Sequence, residues 1–152
     1  MKRLIIIVLL IFTLPAFSLG QSIKETERRQ LLQAKQRLIE SLTSRNYLDF
    51  SRISKTTLYC SLCDQIVNGT TTIGKHEFFK KYSNAIVNSK RWKRALISRE
   101  IFFVRNKGNS YSILMTTLKQ NEQEKGHEGE QLEFLFDKIR GGFVFAGIAT
   151  IP

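Results

Sequence analysis

The C-terminal half of the chain restricts the possible folds most, because four runs rich in β-branched and aromatic residues follow one another there. These runs are "ALISREIFFVRN" (95–106), "SYSILMTTLKQ" (110–120), "QLEFLFDKI" (131–139) and "FVFAGIATI" (143–151). Turn-forming residues at 106–109 and 140–142 separate the first run from the second and the third from the fourth. Short turns between such runs predict an antiparallel meander of four strands.

The N-terminal half has a different pattern, since its apolar residues recur at helical spacing in 23–44, 46–54 and 75–88. Asn46 stands where the N-cap of the second helix is expected. Between the second and third helices, residues 56–74 read as a short strand and a loop. Helices followed by a meander predict an α+β fold, with N-terminal helices packed on an antiparallel sheet of four to five strands, and not a doubly wound α/β fold.

The first residues predict a signal peptide over residues 1–20. A basic start, Met1-Lys2-Arg3, precedes an apolar stretch over 4–19, and Ser18 and Gly20 are small residues suited to cleavage before Gln21. A retained membrane anchor is the alternative, but it needs roughly 20 unbroken apolar residues, and this stretch is shorter and contains a proline. We therefore expect an exported protein, periplasmic or secreted, whose mature part is one domain over 21–152.

The order of these elements resembles the nuclear-transport-factor-2-like superfamily, also called the cystatin-like cone fold. The closing segment "FLFDKIRGGFVFAGI" (134–148) is similar to the last hairpin of that family. The resemblance implies a curved sheet and a cone-shaped pocket between the sheet and the helices. It also implies that two copies pair through the outer face of the sheet. Members of the family include isomerases and dehydratases as well as exported proteins without catalytic activity, so the fold alone does not assign a function.

Within the implied cone, four aromatic residues are predicted to line a pocket for a small hydrophobic ligand. They are Tyr59, Phe78, Tyr82 and Phe134. The alternative is that aromatic side chains fill the cone as ordinary core, which the eleven phenylalanines of the chain favour.

Cys60 and Cys63 are the only cysteines, and their Cys-x-x-Cys spacing allows three interpretations. A thioredoxin-like redox site requires a helix directly after the motif, and "DQIVNGTTTIG" is a poor helix start. A zinc site could use His76, but the chain lacks a second histidine at the spacing of a zinc finger. A disulfide in an oxidising compartment is the preferred interpretation, with no metal and no cofactor predicted.

Glu100 is the weak candidate for catalysis, since the related isomerases use a carboxylate inside the apolar cone. If the even-numbered apolar residues of 95–106 face the cone, Glu100 points inward with them, and burial would raise its pKa enough for a general base. The odd-numbered positions are also apolar, so the inward face stays undecided. A non-catalytic protein is the preferred interpretation, and an isomerase or dehydratase that uses Glu100 is the alternative.

The chain is strongly basic, with a formal net charge of +11. Its densest basic stretch consists of Lys90, Arg91, Trp92, Lys93 and Arg94. Four cations around an aromatic residue favour an anionic partner. For an exported protein, an anionic envelope component or an acidic protein fits better than nucleic acid. The alternative is a solvated connection in which the tryptophan packs at the edge of the core.

Overall fold

A computed structural model describes residues 23–63, 71–119 and 130–151 of the chain. The predicted signal peptide lies outside the described residues. No helix among these residues has both the length and the apolar character needed to cross a membrane.

The helices before the meander begin in the predicted order. They are α1 (Glu25–Thr43), α2 (Tyr47–Ile53), α3 (Lys75–Glu77), a π-helical turn (Phe78–Tyr82), α4 (Ser83–Asn88) and α5 (Lys90–Ile97). The last of them, α5, was not predicted. The predicted cap of α2 is confirmed, because Oδ1 of Asn46 accepts a hydrogen bond from the backbone N–H of Asp49 at 3.2 Å. The stretch from α3 to α4 covers the third predicted helix, 75–88, with the π-helical turn in its middle.

The strands form one six-stranded sheet in the order β2-β1-β6-β5-β4-β3. They are β1 (Ser54–Cys60), β2 (Thr72–Gly74), β3 (Ile101–Arg105), β4 (Ser110–Leu118), β5 (Glu130–Ile139) and β6 (Gly142–Ile151). The predicted meander, β3 to β6, is confirmed, and each of its neighbouring pairs is antiparallel. The sheet is larger than the four to five strands predicted because the short β2 adds an edge strand to β1, and β1 itself pairs with β6 in parallel.

The helices pack on one face of this sheet. Along β5, the side chains of Leu132, Phe134 and Phe136 are almost fully buried and alternate with half-buried residues. This alternation confirms a sheet with one covered face. Leu31 and Leu38 of α1 belong to the same buried cluster.

The first predicted strand of the meander is shorter than expected. Residues from Ala95 were predicted to be extended, but α5 continues to Ile97 and β3 begins only at Ile101. Ser89 caps this helix, since its Oγ accepts a hydrogen bond from the backbone N–H of Trp92 at 3.1 Å. Trp92 and Ala95, three positions apart, are both buried, and this helical spacing outweighs the β propensity of the residues that follow.

Strands β1 and β6 approach each other closely at Gly147. A Cβ atom at this position would lie 2.8 Å from Cβ of Tyr59 and would overlap the carbonyl oxygen of the same residue. Only a glycine therefore allows this register of the parallel pair.

Candidate functional site

Helix α5 carries the predicted basic stretch, and Trp92 attaches it to the sheet. The Trp92 side chain is 2 % exposed, and its ring meets that of Phe134 edge to face with centroids 5.5 Å apart. The prediction that Trp92 takes part in the partner surface is therefore wrong. The burial of a large aromatic side chain makes it an anchor of the helix instead.

Arg91 also faces the sheet. Its Nε and Nη2 donate hydrogen bonds to the two carboxylate oxygens of Glu130 on β5, at 2.5 and 2.6 Å. The hydroxyl of Thr117 on β4 donates to the same carboxylate at 2.7 Å. The hydrogen bonds from Arg91 lower the pKa of Glu130, and they also raise the pKa of Arg91. Arg91 is thus occupied in holding α5 on the sheet, and it contributes less to an outward surface than predicted.

The other cations of the stretch point outward. Lys90, Lys93 and Arg94 are exposed on α5, and Arg99 is exposed in the turn that follows. Lys119, at the end of β4, is exposed as well. We call these five residues the basic surface. Between positions 90 and 99 the sequence has five cations and no acid. The sequence prediction ended at residue 94, although Arg99 belongs to the same run of cations without an acid.

Two adjoining depressions lie in the basic surface. One, of about 450 Å³, is bordered by Lys90, Arg91 and Arg94 on the side of α5. The other, of about 370 Å³, is bordered by Arg94, Arg99 and Lys119. Arg94 and Thr117 line both depressions. Each hollow has three cations against one acid in its wall, Glu130 in the first and Glu100 in the second, and this positive excess attracts anions.

Glu100 does not lie in the cone. Its side chain is 45 % exposed, and its Oε1 is 3.2 Å from Nζ of Lys119. Hydrogen bonds from Lys119 and then Thr116 lower the pKa of Glu100, whereas the predicted general base required burial and a raised pKa. The even-numbered neighbours Phe102 and Val104 are exposed on the same side of the strand, so the odd-numbered residues are the ones that face the helices.

The predicted pocket residues do not come together as a lining. Phe78 and Phe134 are fully buried, and Phe78 stacks on Phe50 at 5.8 Å between centroids. Tyr82 is half-buried against the same core. Tyr59 is 38 % exposed and lies on the opposite face of the sheet, because its neighbours along β1 are buried toward the helices. The predicted position of Tyr59 is therefore wrong, and the two phenylalanines are part of the packed core.

The preferred interpretation of the cysteines is confirmed. Cys60, at the end of β1, forms a disulfide with Cys63, and their Cα atoms are 5.5 Å apart. Bonded to each other, they offer no thiolate for zinc. His76 packs edge to face on Tyr47 instead. Within residues 23–63, 71–119 and 130–151, no cluster of three acidic, histidine or cysteine side chains could hold a metal ion.

One buried carboxylate was not predicted as a site. Glu27 in the first turn of α1 is 8 % exposed, and its Oε1 accepts hydrogen bonds from Nζ of Lys138 at 2.6 Å and from the hydroxyl of Tyr111 at 3.1 Å. The hydrogen bond from Lys138 is the main reason why the pKa of Glu27 is lowered. A carboxylate with a lowered pKa is a weak general base, so this cluster joins α1 to the sheet and does not resemble an isomerase site.

No protein-family model and no curated protein matches this sequence. Three solved structures are similar to this chain in fold. A nuclear-transport-factor-2-like superfamily protein from Salmonella enterica aligns with a TM-score of 0.46 and 8 % identity, over 83 % of this chain and 90 % of its own. A DUF4783 family protein from Bacteroides ovatus aligns with a TM-score of 0.44 and 9 % identity, over 75 % and 90 %. The association domain of CaMKII from C. elegans aligns with a TM-score of 0.48 and 14 % identity, over 85 % and 100 %.

These likenesses concern the fold alone. The α+β architecture, with helices on one face of a sheet that ends in a four-stranded meander, is the one that the resemblance predicted. With TM-scores below 0.5 and identities of 8–14 %, the solved structures indicate nothing about function.

Proposed function

We propose that this protein is a non-catalytic binding module that recognises an anionic partner through the basic surface. The observation that carries the proposal is the run of five cations without an acid between positions 90 and 99, most of them exposed on α5. Trp92 and Arg91 hold this helix against the sheet. The cations are therefore presented on a fixed support, and binding requires little ordering of the backbone.

Catalysis has less support than binding. Glu100 is exposed and paired with a lysine, and the buried carboxylate of Glu27 has a lowered pKa. A small hydrophobic ligand in the cone also has less support, since Phe78 and Phe134 are enclosed in the core and Tyr59 lies on the other face.

The predicted export of the protein limits the classes of anionic partner that it can meet. A disulfide persists in oxidising compartments, which agrees with export through the predicted signal peptide. In the periplasm or outside the cell, an anionic envelope component or an acidic protein is the expected partner, and nucleic acid is not.

The test is binding to immobilised heparin, a soluble polyanion, as a function of salt. We expect the double variant Lys90→Gln/Lys93→Gln to elute at clearly lower salt than the unchanged protein. A matched control removes two exposed cations of α1, Arg29→Gln/Arg37→Gln, and should elute close to the unchanged protein. If both double variants lose affinity equally, retention reflects net charge alone and the proposed site is wrong.

We also propose that two copies pair through the outer face of the sheet. Phe102, Val104 and Tyr59 are 50 %, 38 % and 38 % exposed there. Exposed apolar side chains on one sheet face are the kind of surface that a second copy covers.

A further inference from the structure

We propose that the partner of the basic surface is the surface of an anionic lipid bilayer, into which the end of α5 inserts the side chain of Ile97. This inference rests on the proposed function and names the partner class. It is independent of the predicted signal peptide, because it concerns the folded domain.

The end of α5 is apolar where the basic surface is densest. Ile97 is 80 % exposed, more than any other large apolar side chain among the described residues, and Leu96 beside it is 41 % exposed. Lys93 and Arg94 precede these two residues, and Arg99 follows them. Exposed apolar side chains flanked by cations are the pattern of a helix that lies on a membrane surface, where the cations meet headgroup phosphates and the apolar side chains reach the acyl boundary. A soluble polyanion would leave Ile97 in water.

A hollow next to Ile97 has a size and charge suited to a lipid headgroup. It measures about 370 Å³, and Ile97 forms part of its wall together with Arg94, Arg99 and Lys119. The carboxylate of Glu100 is the one acid in this wall. Three cations against one acid leave a positive excess in this wall, which favours the phosphate of a headgroup.

The rest of α5 keeps this arrangement in place during docking. Trp92 is buried against Phe134, and Arg91 is bound to Glu130, so the inner side of the helix is committed to the sheet. The opposite side of the helix, with the exposed Lys90 and Lys93, and its end at Ile97 face solvent. The expected binding is therefore peripheral, and it should weaken with salt.

The experiment is co-sedimentation of the full chain with vesicles of phosphatidylcholine alone and with vesicles that also contain phosphatidylglycerol. The apolar stretch 4–19 can itself enter either kind of vesicle. Two quantities are therefore compared between variants: the affinity for anionic vesicles, and the ratio of that affinity to the affinity for vesicles of phosphatidylcholine alone. The variants are Ile97→Gln, Lys90→Gln/Lys93→Gln and, as a matched control, Leu48→Gln, which alters an exposed apolar residue of α2.

We expect Ile97→Gln to weaken binding to anionic vesicles about tenfold, since a largely buried isoleucine side chain contributes on that scale. Loss of the two lysines should weaken it about 25-fold, at roughly fivefold for each charge near an anionic surface. Leu48→Gln should bind as the unchanged protein does. Heparin binding should fall with loss of the two lysines and stay unchanged in Ile97→Gln.

Three outcomes would overturn the inference, and they separate it from the proposed function. If Ile97→Gln binds anionic vesicles normally while loss of the lysines weakens heparin binding, the membrane inference fails and the anionic-partner proposal stands. If the lysines matter in neither assay, both fail. If Ile97→Gln converts a dimer to a monomer by light scattering, the end of α5 is an interface between copies of this chain and not a membrane contact.

Discussion

The ion pair between Arg91 and Glu130 should contribute measurably to the stability of the domain, because it fixes the helix that carries the basic surface. We predict that Glu130→Gln lowers the free energy of unfolding by about 1–2 kcal/mol at neutral pH. Hydrogen bonds to charged groups contribute about 1.5–3 kcal/mol each. The lower value applies here because the Arg91 side chain is 39 % exposed, so solvent screens the pair, and because the glutamine can keep one bond.

The same pair predicts how this difference depends on pH. The pKa of Glu130 is lowered in the folded state, first by hydrogen bonds from Arg91, so its contribution is complete above the unfolded pKa of about 4.3. As the pH falls below that value, the contribution declines, and it is lost once the pH passes the lowered folded pKa. The gap in stability between the unchanged protein and Glu130→Gln should therefore be largest near neutral pH and close in acid.

Urea unfolding followed by tryptophan fluorescence is a suitable assay. Trp92 is the only tryptophan, it lies on α5, and it is buried against Phe134, so its emission reports the detachment of this helix. The predicted loss corresponds to a midpoint shift of about 0.5–1 M urea at a typical slope for a domain of this size. Glu77→Gln is the matched control, since its ion pair with Lys81 is exposed to solvent and should contribute little to stability.

Two results would refute this reasoning. A Glu130→Gln variant as stable as the unchanged protein would mean that desolvation of the pair cancels its attraction. A difference in stability that persists unchanged into acid would mean that the charge of Glu130 is not its source.

Three further predictions concern the sheet and its disulfide. Replacing Cys60 and Cys63 by serine should lower the free energy of unfolding in urea by about 2 kcal/mol, the value expected for so short a loop. An unchanged free energy of unfolding would show that the loop is ordered without the bond. Gly147→Ala should lower the free energy of unfolding in urea by about 1–3 kcal/mol, because the added methyl group overlaps the backbone of β1. The control Gly74→Ala, whose added methyl group meets nothing within 4 Å, should lower it little. Equal effects of the two variants would contradict the close approach of β1 and β6. Phe102→Glu should convert a homodimer to a monomer by light scattering, and a monomeric unchanged protein would refute pairing through the outer face of the sheet.

Local patterns predicted most of the fold correctly. The helical period over 23–44 and the alternation along β5 depend only on which face of an element is buried. That face can be identified from the spacing of apolar residues within the element itself. The predicted boundary between α5 and β3 was wrong because even- and odd-numbered positions after Ala95 both include apolar residues, as in a buried strand. The deciding contact is that of Trp92 with Phe134, 42 positions later, and no local pattern indicates it.

The candidate site depends on this boundary more than on any single residue. With residues 95–106 extended, Glu100 could be placed in the cone and the basic stretch would remain a loop. In the structure, α5 continues to Ile97 and carries Lys90, Lys93 and Arg94. The odd-numbered residues of β3 face the helices, and Glu100 lies on the exposed side beside Lys119. The same helix presents Ile97 among those cations. The burial of Trp92, which holds α5 on the sheet, and the exposure of Glu100 therefore both support the proposed basic surface over a catalytic carboxylate.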